Sequence, residues 1–240
     1  MQRTASRVVL ALSGAALCLA ASTAGAAVVT FDSGSEGWSI NGWDTPDLAG
    51  GNPGANLRWA DFIDTFGLEI RTDSDDRFTG DYGARGPVTL SVDVNTNYIQ
   101  FFGQDVSRDL VVELRDYDNA GSYPYVSVWT TIGTLAGGSG WQTFSATISD
   151  PNSLTLPAGW GGTGDEDPNT FEPRLPANRS FADVLASVDQ VLFTTYTPGF
   201  FYGFTHFDIS VDNISITSVP APGAATLAGA IGLVGLRRRR

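Results

Sequence analysis

The sequence predicts an all-β domain, an antiparallel β-sandwich of the jelly-roll type with one short helix. Two observations carry this. Apolar residues alternate with polar ones along several short runs, the signature of strands with one buried and one wet face. The segments between those runs are rich in Gly, Pro, Asn and Asp, which supply turns.

The strand runs are explicit. Val88, Leu90, Val92 and Val94 alternate with Thr89, Ser91 and Asp93. Leu110, Val112 and Leu114 repeat the pattern, as do Val126, Val128 and Ile132, then Phe144, Ala146 and Ile148, and a further run begins at Val191 and Phe193. Many short strands divided by turn residues predict a sandwich. The last run changes phase: Phe207, Ile209 and Val211 are odd-numbered, Ile214 and Ile216 even-numbered. A one-residue slip requires a β-bulge near Asp212-Asn213. The helix is marked by Ser180 with Asp183 three residues on, a capping box. Phe181, Val184, Leu185 and Val188 then form one apolar stripe.

Charge narrows the partners. The chain has 240 residues and a net charge of −12, and its basic residues are all Arg. Arg3, Arg7 and Arg237 to Arg240 sit at the ends, so the middle is more acidic still. Nucleic acid and anionic membrane surfaces need clustered cations and are excluded as partners of the central domain. The single cysteine, Cys18, lies near the N-terminus, so the domain contains no disulfide.

The two ends read as addresses. Arg3 and Arg7 precede an apolar run from Val8 to Ala21, and Ala24-Gly25-Ala26 supplies a small-x-small cleavage pattern. Residues 1–26 therefore read as a secretory signal peptide. Residues 27–218 form the sandwich domain, and residues 219–240 a tail. That tail reads Val219-Pro220-Ala221-Pro222, an apolar run from Gly223 to Leu236, and four Arg. As a helix, 14 residues would span ~21 Å, short of the ~30 Å hydrocarbon core. The tail resembles the PEP-CTERM sorting signals read by exosortases, with Pro220-Ala221-Pro222 standing where that family has Pro-Glu-Pro. The resemblance implies a short transmembrane sorting helix, cleavage near Pro220 to Pro222, and delivery to the cell surface or extracellular matrix of a Gram-negative-type bacterium. Export and sorting machinery are then partners, and the membrane is met only through the end segments.

The domain carries a second resemblance. Phe31-Asp32-Ser33-Gly34-Ser35-Glu36-Gly37-Trp38 is similar to the opening strand of extracellular jelly rolls. Gly51-Asn52-Pro53-Gly54, the segment from Phe181 to Thr195, and Val211-Asp212-Asn213-Ile214-Ser215-Ile216 resemble laminin B (laminin IV type A) domains. Carbohydrate-binding modules share this galactose-binding-like architecture. The resemblance implies a structural calcium joining the first strand to the last, with Asp32, Asp212 and Asn213 as the matching residues; calcium needs six to eight oxygens, so backbone carbonyls must contribute.

Aromatic placement decides the binding reading. Trp38, Trp59, Trp129, Trp141, Phe144 and Phe193 sit in strand contexts and are expected in the core. Tyr82, Tyr123, Tyr125 and Trp160 lie in loop contexts and are the candidate sugar-stacking residues, with an exopolysaccharide or matrix polymer as partner. Trp160, flanked by glycines, either presents its ring or tucks back to seal an edge. No catalytic constellation is visible: the one histidine, His206, has no sequence-level partners, and paired carboxylates cannot be ranked without distances. The sequence thus predicts a non-enzymatic exported protein that binds glycan. The alternatives are a structural surface domain without a small ligand and a secreted glycan-processing enzyme.

Overall fold

The computed structural model describes residues 26–60, 63–118, 120 and 123–219. The signal-peptide and sorting-tail expectations, including Ala24, Pro220, Ala221 and Pro222, lie outside the described residues. Ala26 is the first described residue and opens the first strand.

In chain order the strands are β1 (Ala26–Val29), β2 (Ser39–Ile40), β3 (Asp47–Gly51), β4 (Gly54–Trp59), β5 (Glu69–Thr72), β6 (Val88–Phe101), β7 (Gln104–Asp105) and β8 (Arg108–Asp116). They continue as β9 (Val126–Leu135), β10 (Gly140–Ile148), β11 (Gly161–Thr163), β12 (Asp165–Glu166), β13 (Pro173–Arg174), β14 (Gln190–Thr194) and β15 (His206–Ser218). Two short helices, α1 (Tyr82–Arg85) and α2 (Phe181–Leu185), interrupt them.

The strands form two antiparallel sheets. The first has the order β10-β6-β15-β4-β3, with β1 on β15 and β7 on β6. The second has the order β11-β9-β8-β14-β5-β2. Strands β12 and β13 form a separate two-stranded ribbon. Because successive residues of a strand face opposite ways, the predicted alternations fix the core. Leu90, Val92, Val94, Ile209 and Val211 of the first sheet meet Leu110, Val112, Leu114, Val126, Val128, Val191 and Phe193 of the second, all essentially inaccessible to solvent.

The predicted bulge is present. The register of β15 on β6 shifts between Asp212 and Ser215, and Asn213 has φ of +48°. The extra residue lets Val211 and Ile214 both face the core. The predicted capping box also forms: the Ser180 hydroxyl accepts from the Asp183 amide, and the Asp183 carboxylate accepts from the Ser180 amide. Phe181, Val184 and Leu185 are buried beneath it.

Two of the expected core tryptophans are not there. Trp129 shares β9 with inward-facing Val126 and Val128, and its odd number places it on the outer face. Trp141 is likewise out of phase with Phe144, Ala146 and Ile148 on β10, and it stays partly exposed. Trp38 and Trp59 are buried in the core as expected.

Candidate functional site

The outer face of the second sheet is unlike an ordinary wet face. Since Leu110, Val112 and Leu114 point inward, Val111, Glu113 and Arg115 point outward from β8. They are nevertheless buried, as are Gln190, Leu192 and Thr194 on β14 and Ser127 on β9. Strand β11 pairs with β9 at the edge of this sheet, and the β12–β13 ribbon continues from it over the face. Close packing of β11 requires glycine at 161, where a Cβ would lie 2.5 Å from the Trp129 ring.

A charge network fills the floor. The Arg115 guanidinium donates to Glu113 at 2.8 Å, to Glu69 at 3.1 Å and to Gln190 at 3.2 Å. Tyr117 also donates its hydroxyl to Gln190. Arg71 donates to the second Glu69 oxygen at 3.0 Å. The Arg115 guanidinium stands 4.3 Å from the centre of the Tyr125 ring, a cation–π distance. Burial works against the Arg115 charge, but Glu113 and Glu69 more than offset it and hold its pKa above the ordinary value. Burial and the Glu113 carboxylate push the Tyr125 phenol up to about 12, so it stays a neutral hydrogen-bonding group.

Over this floor lies a cavity of about 280 Å³, near the small end of the ~300–1,000 Å³ range of ligand pockets. Its lining includes Glu113, Arg115 and Thr163, the tyrosines Tyr123, Tyr125 and Tyr196, and Asp165, Glu166 and Phe171. Several polar groups of this face are buried without a hydrogen-bond partner: Glu113 Oε1, Arg115 Nε and Thr163 Oγ1 in the cavity lining, with Ser127 Oγ and Trp129 Nε1 beside it. Native interiors pair nearly all such atoms, so a cluster of exceptions points to a ligand or ordered water. Phe171 is 73% exposed and has φ of +60°. A bulky side chain in left-handed backbone costs ~1–2 kcal/mol, and its packing returns little at that exposure.

The structure separates the four stacking candidates. Tyr123 and Tyr125 share the cavity. Trp160 packs edge-on against Phe181 of α2, with ring centres 5.1 Å apart, and adds to the rim of the core. Tyr82 must be corrected: it is fully buried, and its hydroxyl donates to the Phe78 carbonyl at 2.6 Å. The first turn of α1 carries its ring inward, so no sugar can reach it. Sequence reasoning missed Glu113, Arg115, Phe171 and Tyr196. The first two were legible from the β8 alternation, which puts them on one face; that the face is covered was not.

The residues expected to hold calcium come together near the bulge. Asp212 accepts from the amides of Asn52 and Asn213, at 2.6 and 2.7 Å. Asp93 accepts from the Asn52 and Asn213 side-chain amides, and Asp32 accepts from the Ala55 amide at 2.9 Å. Burial first, then Asp93 and Asp32, raise the Asp212 pKa. Among the described residues no group of three or more His, Cys, Asp or Glu is arranged to hold a metal. The Asn52 and Asn213 side chains turn donors toward Asp93, whereas an ion would require their oxygens.

No protein-family model matches the chain, and no curated protein matches it. Solved structures do. The family 30 carbohydrate-binding module of a Clostridium thermocellum cellulosomal cellulase shares 16% identity over 82% of this chain and 99% of that one, with a TM-score of 0.45. The CBM22-1–GH10 modules of a Clostridium thermocellum endo-1,4-β-D-xylanase, complexed with xylohexaose, share 15% identity with a TM-score of 0.43. That match covers 80% of this chain but only 28% of the xylanase chain. The L4b domain of human laminin alpha-2 shares 14% identity over 63% of this chain and 70% of that one, with a TM-score of 0.35. These likenesses carry no residue roles across.

Proposed function

We propose that this chain is an exported, non-catalytic polysaccharide-binding protein of the cell surface or matrix, and that its ligand occupies the groove over β8 and β9. One observation carries the reading: tyrosines and residues with partnerless buried polar atoms line the same cavity. Sugars meet both demands, since their C–H faces stack on aromatic rings while their hydroxyls donate and accept. Glu113 Oε1 needs a donor, Arg115 Nε needs an acceptor, and Thr163 can serve either way. Export rests on the end segments of the sequence.

The test is titration of the full chain against a panel of polysaccharides. Tyr125→Ala should weaken binding at least tenfold, the order expected for a central aromatic anchor. Trp160→Ala should lower thermal stability and leave affinity nearly intact. A folded chain that binds nothing on the panel would hand the domain to the structural reading.

Calcium at Asp32, Asp212 and Asn213 is a separate proposal. Its support is the concentration of Asp32, Asp93 and Asp212 at one seam, where a cation would relieve the repulsion felt by Asp212. A native-state ligand must stabilise, so added calcium should raise the melting temperature by several degrees and chelator should reverse it. An unchanged melting curve removes the ion.

A further inference from the structure

We infer that the groove selects uncharged, hydroxyl-rich chains and rejects uronate chains through a carboxylate rim, Asp165 and Glu166; this rests on the reading of the groove as a glycan site. The lining contains three carboxylates, Glu113, Asp165 and Glu166, and one cation, Arg115. That cation is already committed. Its terminal nitrogens donate to Glu113, Glu69 and Gln190, which leaves Nε as its partnerless donor.

The neighbouring cations are committed as well. Arg71 is paired with Glu69. Arg174 is held by Asp165 at 2.9 Å and Asp167 at 3.4 Å. Arg174 offsets part of the Asp165 charge in turn, so an anionic sugar entering the cavity would meet Glu166 and a net acidic rim without gaining a free cation. Carboxylates are acceptors only, and a neutral sugar presents the hydroxyl donors they need. Selection of this kind works by penalising the wrong ligand rather than by strengthening the right one. Glu113 gives the argument its second leg: its side chain is only 3% exposed, and one of its oxygens still lacks a donor.

The rim sits on the β12–β13 ribbon, where Asp165 pairs with Arg174 and Glu166 with Pro173. These side chains are partly or fully exposed, so they can be neutralised without emptying the core. Asp165→Asn/Glu166→Gln removes the repulsion and loosens the hold on Arg174, which then becomes available to a carboxylate ligand.

The experiment titrates the full chain with xylohexaose, cellohexaose and hexagalacturonate, at low and high salt. The expected result is binding of a neutral hexamer and at least tenfold weaker binding of hexagalacturonate, the order that a like-charge contact near a surface produces. In Asp165→Asn/Glu166→Gln the neutral-to-uronate affinity ratio should fall about tenfold. Asp47→Asn/Asp73→Asn, which removes the same charge at exposed positions outside the cavity, should leave that ratio alone. Equal or tighter binding of hexagalacturonate by the unaltered chain overturns the inference and leaves the glycan site standing. So does an equal fall in the ratio for both double variants, because net charge would then be the filter. Failure to bind any hexamer overturns the glycan reading itself.

Discussion

The two sheets present outer faces built on the same alternating pattern, yet the faces pair their polar groups differently. On the first sheet, small polar side chains pair across strands: Thr89 with Thr147 at 2.9 Å and Ser91 with Ser215 at 2.8 Å. Each of these groups finds its partner, and the buried carboxylates of this face, Asp93, Asp208 and Asp212, all accept hydrogen bonds. On the second sheet, long charged side chains occupy equivalent positions, are buried beside a cavity that the ribbon helps to line, and leave polar atoms unmatched. Hydroxyl ladders finish a surface, whereas Glu113, Arg115 and Gln190 form a charged floor beneath a cavity. The difference comes from what packs on the sheet, since both faces obey the same period of two.

The largest effect should come from the buried pair. Arg115→Met leaves Glu113 charged, buried and unmatched, which should cost about 3–5 kcal/mol. Glu113→Leu/Arg115→Met removes both charges from the same place and should recover most of that loss, because apolar replacement of a buried pair is often neutral. Denaturant unfolding of both variants checks this. If the single variant cost no more than a surface substitution, the second face would be as solvated as the first and the contrast would be lost.

Much of this arrangement is legible from sequence, for a physical reason. Alternation reports which residues face the core, so the β8 and β9 interiors, the Asp212-Asn213 bulge and the Ser180 capping box follow directly. Applied strictly, the same parity also places Trp129 and Trp141 outward, whereas strand context alone points them inside. Alternation reports nothing about the layer beyond a sheet. Whether Glu113 and Arg115 meet water or a covering ribbon depends on where residues 161–176 pack, a long-range matter that no local period encodes. Tyr82 shows the reverse error: its loop composition hid a short helix that drives the ring inward.

A smaller effect belongs to the ion pair on the first face. Arg58 donates twice to Asp208, at 3.0 and 2.9 Å, and Asn97 donates to the same carboxylate. Burial would raise the Asp208 pKa, but Arg58 and Asn97 outweigh it and hold the group below the ordinary carboxylate value. A depressed folded-state pKa gives stability that is present above the unfolded value of ~3.9 and is lost as pH falls through the folded one. Arg58→Met should therefore cost about 1 kcal/mol or less at pH 7, given the exposure of the arginine. That cost should vanish as pH falls below the Asp208 pKa. A cost independent of pH would mean that Arg58 acts through packing.

The smallest effect tests the comparison most sharply. Ser91 and Ser215 face each other across β6 and β15, and their hydroxyls bond only partly out of reach of water. Water can replace either partner, so Ser91→Ala and Ser215→Ala should each cost about 0.5 kcal/mol or less. The coupling in a double-mutant cycle should be of the same size, because removing the second hydroxyl loses little once the first has gone. Glycan affinity should not change in any of the three variants, since this pair lies on the face opposite the groove. A measurable loss of binding would place ligand contacts on both faces. The hydroxyl ladder would then be a second contact surface, and the cover over β8 would no longer distinguish the face that binds from the face that does not.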